Sequence, residues 1–209
     1  MTSLSTTERT RLRRGKDRAL TSRDALHAVL DEGRICHLGV VVDGAPRVLP
    51  TGYGRIGETL YLHGSSGSAS LLGASSGEIC VTVTLLDGFV LARSAFHHSV
   101  NYRSAVVYGR PRVVTDPAEK LAALEALTES MAPGRWAATR PPTRKELAAT
   151  TVLALPLDEA SVKARSGPPV DDEEDYALPV WAGVMPVRTS YGPAEPDPRL
   201  EPGPAAPSW

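Results

Sequence analysis

The feature that most constrains the fold is a series of short β-type segments separated by turn residues between positions 35 and 114. Residues 35–42 lead into Asp43-Gly44, a strong signal for a two-residue hairpin, and the chain returns along residues 46–53. Short segments at such regular spacing predict an antiparallel sheet that is closed, or nearly closed, into a barrel. The six predicted strands are residues 35–42, 46–53, 59–63, 78–86, 89–94 and 101–114, with further turns at Gly57-Glu58 and Asp87-Gly88.

Helices are predicted before and after these strands. Ser22 is a suitable N-cap for a first helix that Gly33 ends, and Thr143 with Glu146 forms the capping box of a later one. The order of elements predicts an α+β domain, mainly β, in which helices flank the barrel. The other predicted elements are a short helix at 69–74, a helix after Asp116 with Leu121, Leu124, Leu127 and Met131 on one stripe, and strands at 151–157 and 160–165.

The two ends of the chain differ from this core. Residues 1–20 are rich in Arg and Lys with little apolar periodicity, so a solvated tail is favoured over an arm that contacts an anion or a partner. The last twenty residues contain six prolines, which cannot build a hydrogen-bonded ladder. We expect a basic N-terminal arm at 1–20, one folded domain at 21–188 and a Pro-rich tail at 189–209.

Composition and charge exclude several classes of protein. Lys and Arg number 23 against 24 Asp and Glu, which argues against a dedicated nucleic-acid-binding protein. The longest apolar run is too short to cross a bilayer, and the N-terminus has no apolar signal region. Cys36 and Cys80 lie in apolar segments and are expected to pack as reduced thiols. We therefore expect a cytoplasmic protein that binds neither nucleic acid nor membrane.

Three patterns imitate functional motifs. Gly52–Gly57 matches a dinucleotide fingerprint, but a predicted strand follows it where a helix is required. Gly73–Gly77 matches a nucleophile elbow, but the helix and strand stand in the reverse order. His97-His98, with His63 and His37, has none of the spacings typical of metal ligands. The sequence thus predicts hairpin glycines, no hydrolase serine and no metal site.

The Ser/Gly-rich segment at residues 64–68 is a better candidate. It joins the strand ending at His63 to the short helix that follows, so that backbone N–H groups and hydroxyls meet at a helix start. Such an arrangement suits a phosphate group.

Several motifs together are similar to those of one known family. The run N-Y-R-S-x-V-V-x-G at residues 101–109 and the run Pro-Val-Trp-Ala-Gly at residues 179–183 are fairly specific, and the others support them by their order. On these residues the chain resembles the pyridoxamine-5′-phosphate-oxidase-like, flavin-binding split-barrel family, and within it the branch of the nitroimidazole-resistance proteins. The other matching segments are residues 47–53, 60–64, 94–100, 140–143 and 163–169, with Leu178, and the whole match covers residues 21–187.

This resemblance implies a six-stranded split β-barrel of Greek-key type that binds FMN at a homodimer interface. It places the strand at 47–53 along the isoalloxazine ring, the turn after His63 at the phosphate, and Trp181 at the edge of the pocket, unless Trp181 is an ordinary core or interface residue. His63 would lie by the flavin and donate a proton to the substrate. The implied flavin-binding residues are Arg47, Val48, Leu49, Pro50, Thr51, His63, Gly64, Ser65, Ser66, Ser68, Ser70 and Trp181.

One position departs from the family pattern. The family commonly has Arg or Lys directly after the serine that corresponds to Ser68, and this chain has Ala69. Losing one charge-assisted contact to the phosphate weakens binding by roughly 1.5–3 kcal/mol, or about tenfold or more. Arg47, Arg93, Arg103 and Lys163 are candidate substitutes, although Arg103 is expected to pair with an acidic neighbour.

The function implied is that of an FMN-dependent oxidoreductase that reduces a small nitro compound or quinone, with NAD(P)H as a candidate reductant. FMN carries the redox chemistry itself, which is consistent with the lack of a catalytic dyad in the sequence. The alternative is a non-catalytic protein that holds flavin, haem or deazaflavin in the same cleft. Reduction of bound flavin by NAD(P)H, with reoxidation by a substrate, would favour the enzyme.

Overall fold

The structure, a computed structural model, describes residues 3–200, without the side chain of Leu72. In this part of the chain, strands outnumber helices and short 3-10 turns connect several of them. The strands are β1 (Ala19–Leu20), β2 (Ile35–Val42), β3 (Ala45–Ile56), β4 (Thr59–Ser65), β5 (Ile79–Leu91), β6 (Ser99–Gly109), β7 (Arg112–Val113), β8 (Thr150–Pro156), β9 (Glu159–Arg165) and β10 (Gly183–Pro186). The helices are α1 (Arg23–Glu32), α2 (Ala69–Ser76), α3 (Pro117–Met131) and α4 (Arg144–Ala149).

All strand pairs are antiparallel, in the order β1-β9-β6-β5-β2-β3-β4-β8-β7, with β10 added to β5. β3 links the two parts of this sheet, because residues 45–52 pair with β2 and residues 53–56 pair with β4. The main core lies inside the curved sheet and is closed at one side by α1. The expected α+β class with a mainly antiparallel sheet and flanking helices is confirmed, and it is consistent with a split barrel.

The β2–β3 hairpin has the predicted turn. Asp43 and Gly44 have φ angles of 53° and 77°, the left-handed conformations that a type I′ turn requires at both central positions. Its twist matches that of the strands, so the register runs without a break from Val42 opposite Ala45 to Ile35 opposite Gly52.

The second Asp-Gly pair does not form a hairpin, and the prediction of two strands at 78–86 and 89–94 is wrong. β5 passes straight through Asp87 and Gly88, with only a shift of register against β6. β10 pairs with this part of β5, and a Cβ atom on Gly88 would lie 2.9 Å from the carbonyl oxygen of Met185. The glycine here allows a close strand approach rather than a turn.

The predicted strand at 101–114 is also divided, since Pro111 lacks an N–H and β6 ends at Gly109. The strands predicted at 151–157 and 160–165 are present as β8 and β9, and with the short β1, β7 and β10 the described chain has ten strands.

The helices begin where the capping residues predict. Ser22 accepts a hydrogen bond from the Ala25 N–H, and the Thr143–Glu146 capping box is complete. Asp116 caps α3. The predicted apolar stripe of this helix is only partly buried, because Leu127 is buried whereas Met131 is 54% exposed.

Residues near the N-terminus pack on the barrel. Leu4 is buried, and the Arg9 guanidinium forms ion pairs with Glu78 and Glu159 and lies over the Tyr108 ring. Residues 188–200 form no helix or strand, and residues 201–209 of the predicted Pro-rich tail lie outside the described part. None of the helices within residues 3–200 has the length and apolar character needed to cross a membrane.

Candidate cofactor site

The first half of β3 is an open strand edge. Residues 45–52 pair with β2 on one side, and within residues 3–200 no strand pairs with their other side. Alternate residues of an antiparallel strand direct both N–H and C=O away from the partner, so this edge offers donors and acceptors. Pro46 and Pro50 are tolerated because the strand is not paired on both sides. The segment predicted to contact the flavin ring, Arg47 to Thr51, is therefore available to a planar polar ligand.

This half of β3 is also unusually exposed. Arg47, Val48 and Pro50 are all exposed, and Val48 shows 67% of its surface. On the neighbouring strand, Val41 is 60% exposed. Apolar side chains in a strand of the barrel wall are normally covered, so this face is suited to a ligand or a protein partner.

The Ser/Gly-rich loop lies where β4 passes into α2. The N–H groups of Ser66, Gly67 and Ser68 donate to the Ala149 carbonyl, the Ser65 hydroxyl and the Ser65 carbonyl respectively. These three groups are thus already engaged within the chain. The groups still available to bind an anion are the N–H groups of Ala69 and Ser70, which lack intrahelical acceptors at the start of α2, and the serine hydroxyls.

The substitute cations differ in availability. The guanidinium of Arg93 is paired with Asp171 at 3.1 Å and covers the Tyr176 ring. Arg103 binds the carboxylates of Asp87 and Glu32, as its expected structural role predicts. Arg47 and Lys163 have no carboxylate partner among residues 3–200, and Arg47 lies on the open edge of β3.

His63 lies near the end of β4, opposite Val152 of β8. Its side chain is half-buried, and its Nδ1 atom is buried with no hydrogen-bond partner in the described part of the chain. Burial lowers the pKa of the imidazole, so the ring is neutral at pH 7. An orphaned polar atom of this kind is expected to meet a ligand, and a neutral ring can donate one hydrogen bond and accept another.

Trp181 is 66% exposed, which excludes the interpretation that it is an ordinary core residue. It precedes β10, and Val180 and Leu178 beside it are also about half exposed. The ring lies against Gly183, where a Cβ atom would be 3.0 Å away. An apolar strip of this kind at the sheet edge is suited to burial against another surface.

The two rejected glycine patterns are confirmed as structural. Gly57, with φ of 56°, turns the chain from β3 into β4, so no helix follows the Gly52–Gly57 run. The Gly73–Gly77 segment ends α2 and leads into β5, the reverse of a nucleophile elbow.

Comparison with known proteins extends this description. The sequence model of the pyridoxamine 5′-phosphate oxidase family matches residues 22–164. The flavocytochrome Anf3 from Azotobacter vinelandii is 42% identical with a TM-score of 0.91, over 96% of this chain and 94% of that one. The FAD and haem binding protein from Mycobacterium smegmatis is 43% identical with a TM-score of 0.86, over 91% and 94%.

A protein described as a 5-nitroimidazole antibiotic resistance protein, from Bacteroides thetaiotaomicron, is more distant. It is 20% identical with a TM-score of 0.59, over 69% of this chain and 85% of that one, which shows a shared fold alone. A search of curated proteins finds no match.

Proposed function

The chain belongs to the pyridoxamine 5′-phosphate oxidase family, and from this premise we propose that it is a flavin-binding oxidoreductase that also binds haem. The observation that carries the proposal is the pair of similar structures. Both exceed 40% identity over more than nine-tenths of this chain, and both are named for flavin and haem or as a flavocytochrome. The nitroimidazole-resistance branch has weaker support, from a relative that shares the fold only.

The residues for the flavin are those of the open edge and the serine loop. The ring would lie along Arg47, Val48, Leu49, Pro50 and Thr51, and the alternate residues of this segment that face the open edge would present their backbone groups to it. Gly64, Ser65, Ser66, Ser68 and Ser70 would surround the phosphate end. A bound flavin would supply the capacity to accept and pass on electrons, and the protein would bind and orient it.

The absence of a cation in the serine loop bears on which flavin binds. The terminal phosphate of FMN is a monoester that carries about −1.5 to −2 charges at pH 7, whereas each bridging phosphate of FAD carries one. A loop of hydroxyls and two N–H groups, with Ala69 where the family has a cation, suits the less concentrated charge. The resemblance implies FMN, and we favour FAD; the mass of the extracted flavin decides between them.

His63 is proposed to face the bound cofactor through its orphaned ring nitrogen. Because burial keeps the ring neutral, it would hold its proton as a hydrogen-bond donor rather than release one from an imidazolium. This changes the expected catalytic role: turnover should not follow the protonation of a free histidine near pH 6.5. His63→Ala should weaken flavin or haem binding or shift the cofactor spectrum.

We also propose a homodimer in which the exposed strip around Trp181 is covered by the second copy, which would complete each pocket. A monomer at micromolar concentration by light scattering would contradict this arrangement. The substrate proposed is a nitro compound or quinone with NAD(P)H as reductant. The rival is a carrier without turnover, and it predicts that bound flavin is not reduced by NAD(P)H at a useful rate.

The first experiment is the visible spectrum of gently purified protein, with flavin bands and the haem Soret band measured separately. About one flavin per chain supports the proposal, and a colourless protein that releases all added FMN and FAD refutes it.

A sharper test of the loop restores the missing cation. Ala69→Arg should raise FMN affinity about tenfold or more if a phosphate lies there. The matched control is Ala118→Arg, another exposed alanine in the first turn of a helix, which should leave the affinity unchanged. Equal affinities for both variants would contradict the phosphate position.

A further inference from the structure

A cavity of about 560 Å³ lies beside the connection between β5 and β6. Its walls come from that connection, from the end of β9 and from the segment before β1. None of the residues placed above in the flavin site lines it. Residues of interest in its wall are Arg18, Phe96, His97, His98, Arg165 and Val170.

His98 presents a bare ring nitrogen. Its Nδ1 atom lies 2.9 Å from the Ser94 carbonyl oxygen, and because a carbonyl only accepts, Nδ1 must carry the hydrogen. Nε2 of the neutral ring then carries the lone pair, and no partner for this nitrogen is found among residues 3–200. A backbone carbonyl that holds one ring nitrogen while the other faces outward is the usual arrangement around a metal-binding histidine.

His97, its neighbour, has one ring nitrogen in a hydrogen bond and carboxylates near the ring. Nδ1 is 2.8 Å from the Ser94 hydroxyl, and Nε2 is 3.9 Å from a carboxylate oxygen of Asp172, too long for a hydrogen bond. A ligand atom of His97 also lies within 4.8 Å of carboxylate oxygens of Asp171 and Asp175. Ser94 therefore contacts both rings, and of the two only His98 has no carboxylate within 4.0 Å in the described part of the chain.

Part of the wall is apolar: the side chains of Phe96, Ala164, Pro168 and Val170 are apolar, and the others are polar or charged. Phe96 is 89% exposed and Val170 is 70% exposed, so both present apolar surface that a ligand could cover. The Phe96 ring is held edge-on to His97, with centroids 5.2 Å apart. A macrocycle against these side chains would remove apolar surface from water.

The cations of the wall are not neutralised by carboxylates. The Arg165 guanidinium bonds to oxygens without charge, those of Asn101, Gly167 and Pro168. Arg18 forms no ion pair in the described part of the chain. Asp17 is the one acidic residue in the wall, so two positive charges face one negative charge. A ligand with two carboxylates would balance them.

A ligand with a planar apolar ring, two carboxylates and a metal that accepts a nitrogen ligand matches these features, and haem is such a ligand. We infer that this cavity would hold the haem, that His98 Nε2 would bind its iron, and that Arg18 and Arg165 would pair with its carboxylates. The inference rests on the haem part of the proposed function and adds the location and the ligand.

The test is a titration of the full-length protein with haemin, followed by the Soret band. Four proteins are compared: wild type, His98→Ala, His63→Ala and the control His37→Ala, whose side chain is exposed on β2. We expect His98→Ala to lose at least tenfold in affinity or to lose the ligated spectrum, and added imidazole to restore that spectrum. His37→Ala should match wild type.

Each outcome is decisive. If His98→Ala binds haemin as wild type does, or if imidazole fails to restore a lost spectrum in the folded variant, the inference is overturned. If His63→Ala alone loses the haem spectrum, His63 is the ligand, and both the location and the ligand assigned here are wrong. If wild-type protein binds flavin but no haemin, the inference and the haem part fall together while the flavin part stands.

Two further variants keep the test independent of folding. His98→Met should still bind haemin with a shifted spectrum, because a thioether is also an iron ligand. Arg18→Gln should lose most of the preference of the wild-type protein for haemin over its dimethyl ester, a loss of about tenfold for one charge-assisted contact. An unchanged spectrum in His98→Met or an unchanged preference in Arg18→Gln would count against the assignment.

Discussion

Helix α3 is expected to depend on the small size of one glycine in β3. A Cβ atom on Gly54 would lie 2.7 Å from the Leu127 nitrogen and 2.8 Å from the Ala126 carbonyl carbon, both backbone atoms of α3. Backbone cannot rotate away as a side chain does, so Gly54→Ala must push the helix off the strand. Overpacking of this kind costs about 1–3 kcal/mol, and for a chain of this size each kcal/mol lowers Tm by about 2–4 °C.

The chain supplies a matched control two residues away. A Cβ atom on Gly52 meets nothing within 4 Å, so Gly52→Ala should be neutral or stabilise by up to about 1 kcal/mol through reduced backbone freedom in the unfolded chain. Urea unfolding followed by circular dichroism would give the two free energies of unfolding. Equal stability of the two variants would refute the close approach of α3 to β3.

Three other changes test separate contacts. Tyr53→Phe removes a buried hydroxyl that donates to the Leu30 carbonyl at 2.6 Å, so the free energy of unfolding should fall by about 1–2 kcal/mol in urea, and no fall would contradict the bond. Arg103→Gln should cost at most about 1 kcal/mol at pH 7, because its partner Glu32 is half exposed. The Arg103 guanidinium lowers the pKa of Glu32, so the loss should fade as the pH falls below 4.5, and a loss that persists there would argue against the pair. Burial lowers the pKa of His63, so the unfolded chain binds more protons than the folded one, and the free energy of unfolding of the wild type should fall as the pH drops below 6.5. His63→Gln should reduce this dependence of stability on pH in thermal melts from pH 7.5 to 5. An unchanged dependence would mean that another group titrates.

The two Asp-Gly pairs show which parts of the fold local sequence can predict. At Asp43-Gly44 no other strand pairs with the turn and a Cβ atom on Gly44 would meet nothing within 4 Å, so the preference of the dipeptide for left-handed backbone is not overridden. At Asp87-Gly88 the same dipeptide is extended, because β10 pairs with it and the Asp87 carboxylate binds Arg103. A segment almost a hundred residues further along the chain supplies that pairing, and no short-range signal contains it.

The candidate flavin site likewise has features that local sequence predicts and features that it does not. That the serine loop lies between a strand containing His63 and a helix could be predicted from the sequence, because such a loop has a recognisable pattern. The hydrogen bond from the Ser66 N–H to the Ala149 carbonyl could not be predicted, because Ala149 is distant in the sequence and is brought to the loop by α4 and β8. The open edge of residues 45–52 could not be predicted for a related reason, because the sequence of one strand does not show which of its edges lacks a partner.

The histidine pair shows a limit of spacing rules themselves. Spacing patterns detect ions held by several side chains, and on that ground His97-His98 predicts no metal site. Haem iron receives four nitrogens from its macrocycle and needs as few as one from the protein, so it imposes no spacing between ligands. What it does impose is an oriented imidazole, an apolar wall and unpaired cations, and these come from parts of the chain as distant as Arg18, Phe96 and Arg165. The proposed haem site could therefore be inferred only from the folded chain, which brings those residues together.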